Sequence, residues 1–145
     1  MTNREQKIIS ATIKLLKQVY IHDPAAHDWY HIERVWKMAR KLARHEKVNQ
    51  FVVEMGALLH DVDDFKFKPK GEQPLAKTKL ILEQFNIDKS LQKQILDIVS
   101  HVSFKGANVK TTQKTLEGKI VQDADRLDAL GAIAIARTFA YGGSL

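Results

Sequence analysis

The sequence predicts an all-α fold, a single helical domain spanning residues 1–145. Three observations predict it. Apolar residues recur three and four apart along most of the chain, the spacing that puts them on one side of a helix. Polar stretches with proline, glycine or capping residues separate these runs. No segment alternates apolar and polar residues over a useful strand length. About six helices are expected, with antiparallel neighbours joined by short loops.

The first helix is expected from Asn3 to about Tyr20, with Ile8, Ile9, Thr12, Leu15, Leu16 and Val19 inward. His22-Asp23-Pro24-Ala25-Ala26 breaks it, because Pro24 disfavours helix in the residue before it. A second helix covers about His27 to His45, with Ile32, Val35, Trp36, Ala39, Leu42 and Ala43 on one side. Asn49 can cap a third, running through Val52, Val53, Gly56 and Leu59 to His60-Asp61. Phe65 to Gln73 contains Pro69 and Gly71 and reads as a loop. Pro74 suits the first position of a fourth helix ending near Phe85. Asp88 or Ser90 can start a fifth, with Leu91, Ile95, Ile98, Val99 and Val102 inward. Lys105 to Thr115 reads as another loop. A sixth helix is expected from about Leu116 to Ala140, with Ile120, Ala124, Leu127, Gly131 and Ile135 in register.

A chain of 145 residues is long enough for one domain with a real core. It has no cysteine, which excludes disulfides, thiolate zinc sites and a cysteine nucleophile. Any metal must then be held by histidine and carboxylate. The lack of disulfides suits a reducing cytoplasm. The N-terminal MTNREQKIISATIKLLK has no long apolar core and no small-residue cleavage site, so it does not read as a signal peptide. No apolar run approaches the ~18 residues of a membrane span, and no membrane partner is expected. The net charge of +6 favours anionic partners such as phosphorylated metabolites, nucleotides or nucleic acid. Specific nucleic-acid binding is the weakest of these, because no motif and no aromatic–basic interleaving accompany the charge. Solvated lysines on helix surfaces explain most of the basic residues.

The stretch GALLHDVDDF, residues 56–65, carries the first chemical signal. An apolar helix runs directly into His60, Asp61, Asp63 and Asp64. Carboxylates at a helix C-terminus have the wrong sign for its dipole. A divalent cation would reverse the local sign; a surface cap or salt bridge is the plainer alternative. His27 and His31 lie four apart on one helix face. They share the spacing of a zinc-protease motif, with Asp28 in the place of its glutamate, but no third ligand follows at the usual distance. His31 has the stronger claim of the two, because it precedes the inner stripe of Ile32, Val35 and Trp36. In VQDADRLDA, Asp125 and Asp128 share a face; Asp125 adjoins Ala124 on the apolar stripe, whereas Asp123 points elsewhere. A buried pairing of Asp125 with Arg126 or a lysine is the alternative to a metal.

The order His31, His60-Asp61, Asp125 resembles the HD-domain metal-dependent phosphohydrolases. AHDWYHIERVWKMA, ALLHDVDDFKF, VSHVSF and EGKIVQDADRLDALGAIAIARTFAYGG are similar to one bacterial branch of that family, over His27 to Gly143. The resemblance implies an all-helical fold and one divalent metal held by His31, His60, Asp61 and Asp125. It implies hydrolysis of phosphoesters of nucleotides or related small anions. Members of this branch continue for several helices past AYGG, so part of the pocket wall is expected beyond residue 145.

Two imidazoles and two carboxylates leave positions open for water and substrate. That set suits Mn²⁺, Fe²⁺, Co²⁺ or Ni²⁺ ahead of Mg²⁺, which prefers more oxygen ligands. Asp64 matches the acid that serves as general base in related proteins, and a lysine-paired loop acid is its alternative. Lys66, Arg34 and Arg126, in that order, are candidates for substrate phosphate; Lys68 and Lys70 share the loop with Lys66. His27 and His101 are further substrate candidates, and an Asp97–His101 pair would account for the latter. Asp128 is expected to orient a ligand or bind a helix cap. Trp29, Trp36, Phe65 and Phe67 are assigned to core or pocket wall. A non-catalytic module that binds metal and nucleotide is the rival to an enzyme.

Overall fold

The computed structural model describes residues 1–21, 28–63, 73–102 and 112–143. These residues form helices and no strand: α1 (Asn3–Tyr20), α2 (Trp29–Ala43), α3 (Gln50–Leu59), α4 (Ala76–Gln84), α5 (Lys89–Val102), α6 (Leu116–Asp128) and α7 (Gly131–Gly142). The all-α expectation holds.

Helix α3 is the centre of the bundle. Every residue from Phe51 to Leu59 is buried, as an element apolar on all sides must be. Asn49 starts it by accepting from the Phe51 and Val52 amides. Helices α1, α2, α5 and α6 pack around it, and α2 also packs along α6. Gly56 allows the close approach: a Cβ there would lie 3.2 Å from Ile98 Cγ2 and 3.4 Å from Val121 Cγ2. Glu54 is the buried charge on this helix. It accepts from Trp36 Nε1 at 2.7 Å and pairs with Arg40 Nε at 3.4 Å. Buried charge without such partners is costly.

Local capping sets the other starts and stops. Thr2 and Glu5 form a reciprocal capping box on α1. Asp28 caps α2 by accepting from the His31 amide at 2.9 Å. Helix α4 begins after Leu75, whose φ of 58° is left-handed and whose side chain caps nothing. Asp63 substitutes from a distance, accepting from the Lys77 amide at 3.1 Å and the Thr78 amide at 2.8 Å. Helix α4 closes with Asn86 at φ 48°. The amides of Asn86 and Ile87 fold back on the carbonyls of Glu83 and Leu82, a Schellman turn.

The structure corrects the sequence reading in four places. The expected sixth helix is two helices, divided at Ala129-Leu130-Gly131, because Gly131 adopts φ +76°. Its expected inner stripe fails beyond Ala124: Leu127, Gly131 and Ile135 are exposed. Val19 is exposed as well, while Ile13 and Tyr20 pack on the core from α1. Pro74 lies in the turn before α4 rather than opening the helix. Trp29 is core, as expected, and Trp36 packs against it partly buried. His27, Asp64, Phe65, Lys66, Phe67, Lys68 and Lys70 lie outside the described residues.

Candidate metal centre

Three helices converge at one end of α3. His31 comes from the first turn of α2, His60 caps the C-terminus of α3, Asp61 follows it, and Asp125 comes from the last turn of α6. His31 and His60 are both buried, at 3% and 2% exposure. Their Nε2 atoms face each other at 3.1 Å. Asp61 approaches both rings, with Oδ2 3.2 Å from His31 Nε2 and Oδ1 3.4 Å from His60 Nε2. Asp125 Oδ1 lies 3.5 Å and 3.6 Å from the same two nitrogens. Neighbouring residues on a regular helix diverge, but α3 ends at Leu59, and the turn beyond it lets His60 and Asp61 converge.

The outer edges of the rings fix their protons. His31 Nδ1 lies 2.7 Å from Asp128 Oδ2, and His60 Nδ1 lies 2.7 Å from the Ala57 carbonyl. A carboxylate and a carbonyl can only accept, so each Nδ1 donates its proton. In the neutral rings both Nε2 atoms are then lone pairs pointed at each other. Two lone pairs and two carboxylates repel unless a positive charge lies among them. In the metal-free protein a proton can supply it. Burial pulls the His60 imidazole down, but Asp61 and Asp125 outweigh it and raise His60 to about 9.

The donor set also fits a divalent ion. Metal–ligand distances of roughly 2.0–2.2 Å put adjacent ligand atoms about 3.0–3.5 Å apart. The contacts above span 3.1–3.6 Å. His31, His60 and Asp125 offer ligand atoms all within 4.8 Å of one another.

Asp128 supports this cluster from behind. Burial pushes its carboxyl up, but the hydrogen bonds from His31 and Arg34 outweigh burial and hold it well below the usual carboxylate range. Arg34 donates Nε to Oδ1 at 2.7 Å and Nη2 to Oδ2 at 3.0 Å, a bidentate fork. Arg137 of α7 donates Nη1 to Oδ2 at 3.0 Å. Asp128, expected to orient a ligand or bind a helix cap, accepts from the His31 ring. Arg34, expected to meet substrate, has its guanidinium on Asp128.

Arg126 is exposed on the last turn of α6. His101 Nδ1 is 2.7 Å from the Asp97 carbonyl and 3.7 Å from Asp97 Oδ1, so the local Asp97–His101 contact accounts for it. Sequence reasoning missed Arg137, and no spacing in a supposed continuous helix would have found it. It also missed Glu54 and the α4 cap at Asp63. A groove of about 650 Å³ lined by Lys37, Arg40, Lys41, Arg44 and Glu54 includes none of the clustered histidines or aspartates.

Fold and site together define a helical bundle with a histidine–aspartate cluster of the kind that could hold a cation. Residues 28–130 match the model of the HD domain, and the chain belongs to that family. It is 33% identical to YpgQ of Bacillus subtilis over 130 residues, covering 89% of this chain and 63% of YpgQ. The structure of YpgQ in complex with ADP superposes with a TM-score of 0.73 at 32% identity, covering 94% of this chain and 68% of that one. An HD-superfamily hydrolase from Bacillus thuringiensis is 44% identical with a TM-score of 0.73, covering 97% of this chain and 67% of that one. The chain spans less than two thirds of the length of the curated relatives it matches.

Proposed function

We propose that this chain is a metal-dependent phosphohydrolase acting on a nucleotide or another small phosphorylated metabolite. The observation that carries the reading is the pair of imidazole Nε2 atoms set 3.1 Å apart beside Asp61 and Asp125. That arrangement is unfavourable without a cation and suited to one. His31, His60, Asp61 and Asp125 would hold the ion. Mn²⁺, Fe²⁺, Co²⁺ and Ni²⁺ match the mixed imidazole–carboxylate donors. A divalent ion so held supplies Lewis acidity and lowers the pKa of a water.

The chain's own residues do the rest. Asp64, three residues past Asp61, takes the water's proton. Arg126, beside Asp125, and Lys66, beyond Asp64, meet phosphate charge, with His27 and His101 as further contacts. Arg34 serves phosphate only if it leaves part of its fork on Asp128. The ADP complex of YpgQ and the net charge of +6 both support a nucleotide-like anion. The relatives named as HD-superfamily hydrolases support turnover over mere binding.

A panel of nucleoside mono-, di- and triphosphates with Mn²⁺ tests the reading. Phosphate release should fall by at least about a thousandfold in Asp61→Ala, the scale on which lost electrostatic stabilisation costs rate. Turnover that survives in metal-free Asp61→Ala protein would rule out the mechanism. Nucleotide-dependent thermal stabilisation with no product from any panel member would make the chain a sensor instead.

A further inference from the structure

We infer that Arg137 on α7 is a positioning residue for the metal centre: it pins Asp128, and through Asp128 it keeps the His31 proton on Nδ1 and turns Nε2 toward the cation. The inference rests on the reading of His31 and His60 as metal ligands.

Asp128 Oδ2 sits at a crossing of three donors: His31 Nδ1 at 2.7 Å, Arg34 Nη2 at 3.0 Å and Arg137 Nη1 at 3.0 Å. The Asp128 side chain is 10% exposed, and the Arg137 side chain is 21% exposed. Arg34 grips from α2 and Arg137 from α7, so the carboxylate is held from two elements. A carboxylate held that firmly has one position left for the ring. Outer partners of this kind fix tautomer and ring direction in metal-bound histidines.

The break before α7 is what makes the contact achievable. Arg137 follows Asp128 by nine residues. On an unbroken helix they would lie roughly 13.5 Å apart along the axis and on opposite sides. An arginine cannot fold back over that distance to reach an aspartate. The left-handed turn at Gly131 redirects the chain and brings Arg137 to the carboxylate. Arg137 points inward from a helix that otherwise exposes Ile133, Ile135 and Phe139, so burial of an apolar face does not explain its direction.

Two measurements on Arg137→Met and Arg137→Lys test this, with circular dichroism as the check on folding. Long-range proton–nitrogen spectra of the metal-free protein report which His31 nitrogen carries the proton. Titration calorimetry with Mn²⁺ reports affinity. Arg137→Met should shift part of the His31 population to the Nε2–H tautomer. It should also weaken Mn²⁺ binding about tenfold, the low end of what outer partners contribute. Arg137→Lys should restore most of both. Unchanged tautomer and affinity in a folded Arg137→Met protein would overturn the inference, as would a lysine variant no better than methionine. If Arg137→Met does not fold, the wild-type spectrum decides: a proton on His31 Nδ1 supports the brace and one on Nε2 overturns it. Absence of Mn²⁺ binding in the wild type would instead sink the metal reading, and the tautomer measurement would still stand.

Discussion

Burial and two neighbouring carboxylates pull His60 in opposite directions. Burial opposes its charge, yet Asp61 and Asp125 raise it from the ordinary 6.5 to about 9. A group raised on folding stabilises the folded state fully below its unfolded pKa and loses that contribution as pH rises through the folded one. The metal-free protein should therefore lose thermal stability between about pH 6.5 and 9. Metal must displace the same proton, so Mn²⁺ affinity should rise across the same window. Melting curves in chelator and calorimetry with Mn²⁺ at several pH values check both slopes. A flat metal-free profile together with pH-independent affinity would contradict the assignment of the proton to this site. At this scale much was legible. A histidine and aspartates at the polar end of an apolar run, and an aspartate beside Ala124, are local signals. Arg137 was not legible, because its role depends on a chain reversal that only one backbone angle reveals.

Helix periodicity located α1, α2 and α5 because each presents an apolar stripe to the core, whereas α3, buried on all sides, was located by its Asn49 cap and its apolar run. It failed at the α6–α7 junction for a physical reason. Leu127, Gly131 and Ile135 keep helical spacing, so the pattern continues across a break that Gly131 makes with φ +76°. A glycine inside a helical pattern was the one available warning. The start of α4 was hidden differently, since its cap comes from Asp63, fourteen residues before Lys77. That contact explains one of the clustered acids in HDVDD: Asp61 faces the histidines, while Asp63 serves another helix. Asp63→Ala should cost about 1 kcal/mol of stability, the usual worth of a helix cap, and leave Mn²⁺ affinity close to wild type. Chemical denaturation and calorimetry measure the two separately. A large loss of metal affinity with unchanged stability would mean that Asp63 belongs to the site instead.

Across the whole molecule, the bundle brings three sequence-distant segments to one end of its most buried helix. Helix α3 is rigidly packed, and its C-terminus delivers His60; α2 delivers His31 at a capped first turn; α6 grips the His31 ring from both edges with Asp125 and Asp128. Residues 31 and 125 sit on helices packed into the core, and 60 and 61 on the turn that directly ends α3, which suits a site that must hold its ligands without an ion in place. The net charge of +6 had pointed only to anions in general. Long-range convergence cannot be read from periodicity; the family resemblance supplied it. The most direct test of the account is the metal content of purified protein after loading with Mn²⁺ and removal of the excess. Wild type should retain one ion per chain, and His60→Ala and Asp61→Ala, folded by circular dichroism, should retain almost none. Equal metal content in all three, or none in the wild type, would contradict it.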